Sequence, residues 1–224
     1  TIVLWILAAA FLLVPCAFVV ANLSRRFPEE GGLYIWTREA FGEWHAFGCG
    51  WFYYLSNVFW IPGVLVAGIG MMTYAFSPRM EKLAEDPRFV LPCALACLIG
   101  VVWSNYAGLR VAKWVDNFGG LGAYAIAVVL FVCGVVAWFT RGPATQFHLL
   151  PRLDLEKLNF WSQLAFAMTG LELSPIMSGE IRNARRNIYP ATWISAALVV
   201  LFYVAGTSSI LTLLKPDEVS PVVG

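Results

Sequence analysis

Long apolar runs that lack charge set the limits on what this chain can fold into. Six stretches, at about 1–22, 46–76, 89–109, 118–140, 158–179 and 190–214, hold at most one Asp, Glu, Lys or Arg each. About 20 residues in helix cross the roughly 30 Å hydrocarbon core of a bilayer, so each run reads as a membrane span. Charged residues are 13% of the 224, against about 25% in a soluble domain. A soluble enzyme, a disordered chain and a disulfide-stapled secreted module are excluded. A formal net charge of +1 offers no electrostatic footprint for nucleic acid. The expected fold is an all-α membrane protein: six transmembrane helices in a single transmembrane domain over 1–224, with the lipid bilayer as its surroundings.

Smaller signals fill in the outline. Residues 27–44 contain Pro28, Glu29, Glu30, Gly31 and Gly32. Leu33, Trp36, Ala40, Phe41 and Trp44 then recur at helical spacing, opposite Thr37, Arg38, Glu39 and Glu43. This predicts a short amphipathic helix in the membrane interface, with its Trp rings at headgroup depth. Polar loops are expected over 77–88 and 141–157, with His148 solvated or interfacial, like His45. The 15 Lys and Arg divide eight to seven between alternate loops, and only the dense links 110–113 and 182–186 lean the first set toward the cytoplasm. The five cysteines all fall in apolar stretches with no CxxC pair and no metal-site partner, and are expected as small buried residues. No secretory leader, nucleophile elbow, HExxH, phosphate loop or cofactor motif is present in the sequence, and no enzyme chemistry is expected. Thr1 already stands inside an apolar run, so the chain is expected to be an excerpt of a longer protein.

The fifth run carries the chemistry. Glu172 is the only charged residue inside any of the six spans. Burying a carboxylate there costs a few kcal/mol or more, so it is expected to face a polar cavity or a partner, or to be neutralised. Gly170 and Pro175 flank it, and both weaken a helix: one lacks side-chain restraint, the other lacks a backbone donor. A helix interrupted in lipid leaves free N–H and C=O groups, which are tolerated where they line a cavity, and such breaks form substrate sites in many secondary transporters. The other reading is a packed, kinked helix with Glu172 as a structural hydrogen bonder. In the second run Tyr53, Ser56, Asn57 and Trp60 share one helix face. That stripe suits either a substrate cavity or interhelical hydrogen bonding.

Three segments resemble the amino acid–polyamine–organocation transporter superfamily, in its amino acid permease branch. They are Phe27-Pro28-Glu29-Glu30-Gly31-Gly32-Leu33-Tyr34-Ile35-Trp36 with the following Ala40-Phe41-Gly42; Phe166 to Glu172; and Glu180-Ile181-Arg182-Asn183-Ala184-Arg185-Arg186-Asn187. The resemblance spans nearly the whole chain. It implies part of an inverted-repeat, leucine-transporter-type bundle, with the six spans matching family helices two to seven and one of them interrupted. It also places the loops at 25–44 and 182–187 inside the cell, and the protein in the plasma (inner) membrane.

By the same resemblance, Phe166 is a candidate aromatic gate. The backbone of Ala167, Met168, Thr169 and Gly170, with Ser56 and Asn57, forms the candidate substrate contacts, and Glu172 is a coupling or gating carboxylate. The implied function is alternating-access transport of amino acids or related amines, by exchange or proton-coupled symport and with no cofactor. The alternative is a non-transporting sensor or subunit that retains the permease scaffold. Two departures bear on gating and coupling: Asn183-Ala184 stands where the family has Asn-Pro, and residues 118–140 hold no Lys.

Overall fold

A computed structural model of the chain describes residues 2–76, 83, 86–144 and 155–214. The regular elements among the described residues are all helices, with no strand. In chain order the helices are α1 (Ile2–Ala8), a π-helical turn (Ala9–Leu13), α2 (Val14–Arg26), α3 (Leu33–Phe41), α4 (Glu43–Phe76), α5 (Pro87–Tyr106), α6 (Leu109–Arg141), α7 (Leu155–Ala167), α8 (Leu173–Ile176), a 3-10 turn (Ser178–Glu180) and α9 (Ala184–Leu213). The expected loops at 77–88 and 141–157, including His148, lie largely outside the described residues.

Five helical segments are long and apolar enough to span a bilayer: Ile2–Arg26, Glu43–Thr73, Pro87–Tyr106, Lys113–Arg141 and Ala184–Leu213. The fifth of the six expected spans is not among them. It is divided between α7 and α8, because the backbone leaves helical geometry between Ala167 and Leu173.

The chain forms two compact units. The first comprises residues 1–52 and 130–215, and its core gathers Leu4, Trp5, Ala8, Ala9, Leu13 and Ala17 with Leu164, Met168 and Ala196. Ala8, Ala17 and Ala21 are wholly buried, since small residues let neighbouring helix backbones approach closely. The same device brings α6 against α9: a Cβ at Gly134 would lie 2.7 Å from the Cβ of Ser209 and 2.8 Å from its Cα. The second unit takes in the described residues between 53 and 129, with Thr73, Val90 and Ser104 buried. Its large apolar side chains point outward, Phe59 at 78% exposure and Ile126 at 72%. In water each would forfeit about 1.5–3 kcal/mol of burial, and in lipid it forfeits little.

The first span is not a uniform helix. The Val14 N–H donates to the Ala9 carbonyl, five residues back. Pro15 accounts for the wide turn: its ring would collide with the Phe11 carbonyl in a regular helix, and it has no N–H to donate. The wide turn takes in one extra residue. The buried face therefore runs through Leu4, Trp5, Ala8 and Ala9, then resumes at Leu13, Ala17, Val20, Ala21 and Ser24. Without it, burial would continue at residues 12, 16 and 19; Cys16 and Val19 instead face outward.

Other differences from expectation have local causes. Helix α3 forms, but Trp36 is buried against Val20 and Ile35, with Leu23, Phe27 and Leu33 around them, so its ring is a packing element and not a headgroup anchor. Trp44 is 87% exposed. The five free cysteines are exposed or half-buried, not buried; apolar surroundings outside the protein serve a small thiol as well as a core does. The basic link 182–187 contributes the first turn of α9, which begins after Asn183 in the left-handed conformation (φ 53°).

Replacing Gly134 with Val in the full-length protein is expected to lower stability by about 1–3 kcal/mol, because the new side chain meets Ser209 backbone. A depressed melting temperature of the detergent-solubilised protein checks this, and an unchanged one would contradict the α6–α9 contact.

Candidate functional site

The site grows out of the interruption after α7. Its last turn tightens: the Met168 N–H donates to the Ala165 carbonyl (3.1 Å) and the Thr169 N–H to that of Phe166 (3.1 Å). The Thr169 hydroxyl donates to the same Phe166 carbonyl at 2.8 Å. Gly170 then adopts φ +117°, a conformation that costs a residue with a side chain about 1–2 kcal/mol. The chain turns through Leu171 and Glu172, and the Leu173 N–H donates to the Gly170 carbonyl at 3.2 Å as α8 begins. Pro175 occupies the third position of α8 and is fully buried. Its missing N–H falls in the first turn, where no helical acceptor exists, while its ring forbids a regular helix running back through Leu171.

Two side chains satisfy the opened backbone. The Glu172 carboxylate, half-buried, accepts the Gly170 N–H at 2.9 Å. From the far side of the unit, the Tyr203 hydroxyl on α9 donates to the Ala167 carbonyl at 3.0 Å. The Tyr203 ring stacks on Trp5 at 4.3 Å between centroids and 10° between planes. Trp5 is itself fixed, its indole N–H donating to the Thr207 hydroxyl at 2.9 Å. A chain of contacts thus runs from α1 through Trp5 and Tyr203 to the end of α7. Among the described residues no Lys or Arg forms an ion pair with Glu172. The buried Trp161 indole N–H, two turns before the break, has no hydrogen-bond partner among the described residues.

The sequence-derived candidates distribute unevenly around this site. Phe166 is 57% exposed beside the break, and Thr169 is exposed as well. Ala167 and Gly170 are half-buried with their backbone groups engaged as above. The Met168 side chain is 2% exposed and anchors the break to the core. Ser56 and Asn57 belong to the other compact unit, and both donate to the Tyr53 carbonyl of their own helix at 2.8 Å. Sequence reasoning missed Trp5, Tyr203 and Thr207. The available signal was three polar-capable side chains inside otherwise apolar runs.

The segment after the break is held from outside. The Gly31 N–H donates to the Ile176 carbonyl at 3.3 Å. Gly32 has φ +46°, and a Cβ there would approach the Ile176 nitrogen to 3.1 Å. A Cβ at Gly179 would meet the Glu30 carboxylate at 2.7 Å. The Pro28–Gly32 motif is therefore docked on α8 and the 3-10 turn.

Long apolar helices with one span split at an acid-bearing turn define a multi-pass integral membrane protein of the discontinuous-helix type. The chain belongs to the amino acid permease family, whose model matches residues 1–223. It is 28% identical to an uncharacterized transporter of Legionella pneumophila, over 98% of this chain and 48% of that protein. It is 24% identical to a probable agmatine/putrescine antiporter of Lactococcus lactis, over 98% of this chain and 47% of the relative. With a cadaverine/lysine antiporter of Escherichia coli it shares 26% identity over 93% of this chain and 46% of that protein. The chain spans about half the length of these relatives. Their names are those of transporters, not enzymes.

Tyr203→Phe keeps the stack on Trp5 and removes the donor to Ala167. It is expected to cost about 1–3 kcal/mol, the penalty of an unpaired buried carbonyl. Thermal unfolding of full-length wild type and variant checks this; equal melting temperatures would remove Tyr203 from the support of the break.

Proposed function

We propose that the full-length protein is a secondary active transporter moving amino acids or related amines across the plasma membrane by alternating access, as an exchanger or a proton-coupled symporter. The observation that carries this reading is the interrupted span at residues 168–172, whose carboxylate is held by backbone and, among the described residues, forms no ion pair with Lys or Arg. An ammonium group is the counter-charge such a site lacks. Glu172 and the carbonyls of the open backbone would accept its N–H groups. Antiporters of amines and amino acids among the relatives support the same substrate class.

In this mechanism no covalent bond is made or broken. Groups of helices rock about the site, and the break lets α7 and α8 tilt separately. Phe166 is the gate that an apolar substrate portion would displace. The backbone at Ala167, Met168, Thr169 and Gly170 contacts the amine. Glu172 couples binding to movement: its grip on the Gly170 N–H is charge-assisted, and an arriving ammonium or proton weakens it. That exchange of partners links site occupancy to the shape of the break.

Glu172→Gln preserves an acceptor for the Gly170 N–H and removes the charge. In proteoliposomes of the full-length protein it is expected to lower amine exchange about tenfold, the effect of about 1.4 kcal/mol, or to shift its pH profile, with melting temperature retained. An unchanged rate and profile would assign Glu172 to structure alone. Absence of uptake and exchange by the wild type across lysine, cadaverine, agmatine and neutral amino acids would overturn the transporter reading.

A further inference from the structure

We infer that the arginine-lined cavity between the end of α2 and the start of α9 binds the phosphate headgroup of an anionic phospholipid. The cavity has a volume of about 520 Å³ and is lined by Arg25, Asn183, Arg185, Arg186 and Tyr189. Arg25 lies in the last turn of α2, and the other four come from the turn and first residues of α9. Both helices belong to the first compact unit and pack on one another.

Three guanidinium groups are gathered here without compensation. Among the described residues, none of Arg25, Arg185 or Arg186 takes part in an ion pair. The contrast is Arg38, which has Glu29 at 3.8 Å and Glu39 at 3.5 Å. Like charges held this close repel one another unless an anion enters among them. Arginine's planar fork matches the paired oxygens of a phosphate.

The walls are also fixed in place. The Arg25 guanidinium sits over the Tyr189 ring, 5.0 Å from its centroid, which limits its freedom before any ligand arrives. The turn leading into α9 is tied by the Asn187 amide, which donates to the Arg182 carbonyl at 2.6 Å. The Asn187 and Arg186 N–H groups both donate to the Asn183 carbonyl, at 3.0 and 2.9 Å. Asn183, which also lines the cavity, makes no capping bond to α9 with its side chain.

Position selects the source of the phosphate. The cavity opens at the polar ends of two membrane-spanning helices, where Ile2–Arg26 finishes and Ala184–Leu213 begins. Headgroups lie at that depth, and basic pockets between spans at the membrane surface draw anionic lipids at about 1 kcal/mol per Arg or Lys. A free phosphate has the same chemistry but no such enrichment, and the experiment separates the two.

The test uses the full-length protein, purified in a neutral detergent and titrated with phosphatidylglycerol or phosphatidylcholine, with bound lipid read by native mass spectrometry. Wild type is expected to retain phosphatidylglycerol in preference to phosphatidylcholine. The double variant Arg185→Gln/Arg186→Gln should weaken phosphatidylglycerol binding roughly thirtyfold, whereas Arg182→Gln, outside the cavity, should leave it within about twofold. Arg25→Lys keeps the charge needed for orientation in the membrane but loses the fork, and should weaken binding severalfold. Equal retention of the two lipids, or a loss with Arg182→Gln as large as with the double variant, overturns the proposal. So does full displacement of phosphatidylglycerol by millimolar inorganic phosphate, which would make this a soluble-anion site.

Discussion

Unpaired backbone in an apolar setting is the constraint on which this architecture turns. A span that stays helical satisfies its own N–H and C=O groups; one that breaks must find partners elsewhere or lose several kcal/mol per group. Here the partners are specific. Glu172 takes the Gly170 N–H, and Tyr203 supplies the Ala167 carbonyl with a donor from another helix. The break is thus a tertiary feature, since α9 must be in place for α7 to end where it does. The stack on Trp5 passes the same requirement on to the first span.

The broad outline was legible because it rests on composition and local rules. Runs without charge marked the long helices, and Gly170 with Pro175 pointed to weakness near Glu172. Helix ends were less legible. The link at 182–187 reads as polar loop, yet a single left-handed residue, Asn183, lets α9 start there and absorb Arg185 and Arg186 into its first turn. Trp36 was misplaced for a related reason. Its spacing identifies an apolar face, but a pattern of faces does not distinguish lipid from the side of α2, and the residues packed with Trp36 come from α2, Phe27 after it and α3 itself.

The site was legible on one side only. Residues 166–172 announce themselves by chemistry within seven positions, whereas Trp5 and Thr207 are bonded across 202 positions of sequence. No periodicity links the two. Ser56 and Asn57 were legible as a polar stripe on one helix face, and each donates to the carbonyl of Tyr53, one turn back. Such back-bonding satisfies a hydroxyl or amide in lipid without any tertiary partner. The docking of Gly31 and Gly32 on Ile176 was foreshadowed only as a glycine pair, whose two missing side chains are what allow the backbones to meet.

The wide turn at Ala9–Leu13 gives the first span a sense of phase. It stores one residue more than a regular helix would use over that length. Loss of a single residue there would leave hydropathy untouched and the span only about 1.5 Å shorter, yet rotate everything on one side of it by about 100° relative to the other. Trp5 would swing away from Tyr203, or Ala17 and Ala21 from α9. Chain length at this point is therefore as informative as residue identity, and a substitution tally that ignores gaps would overlook it.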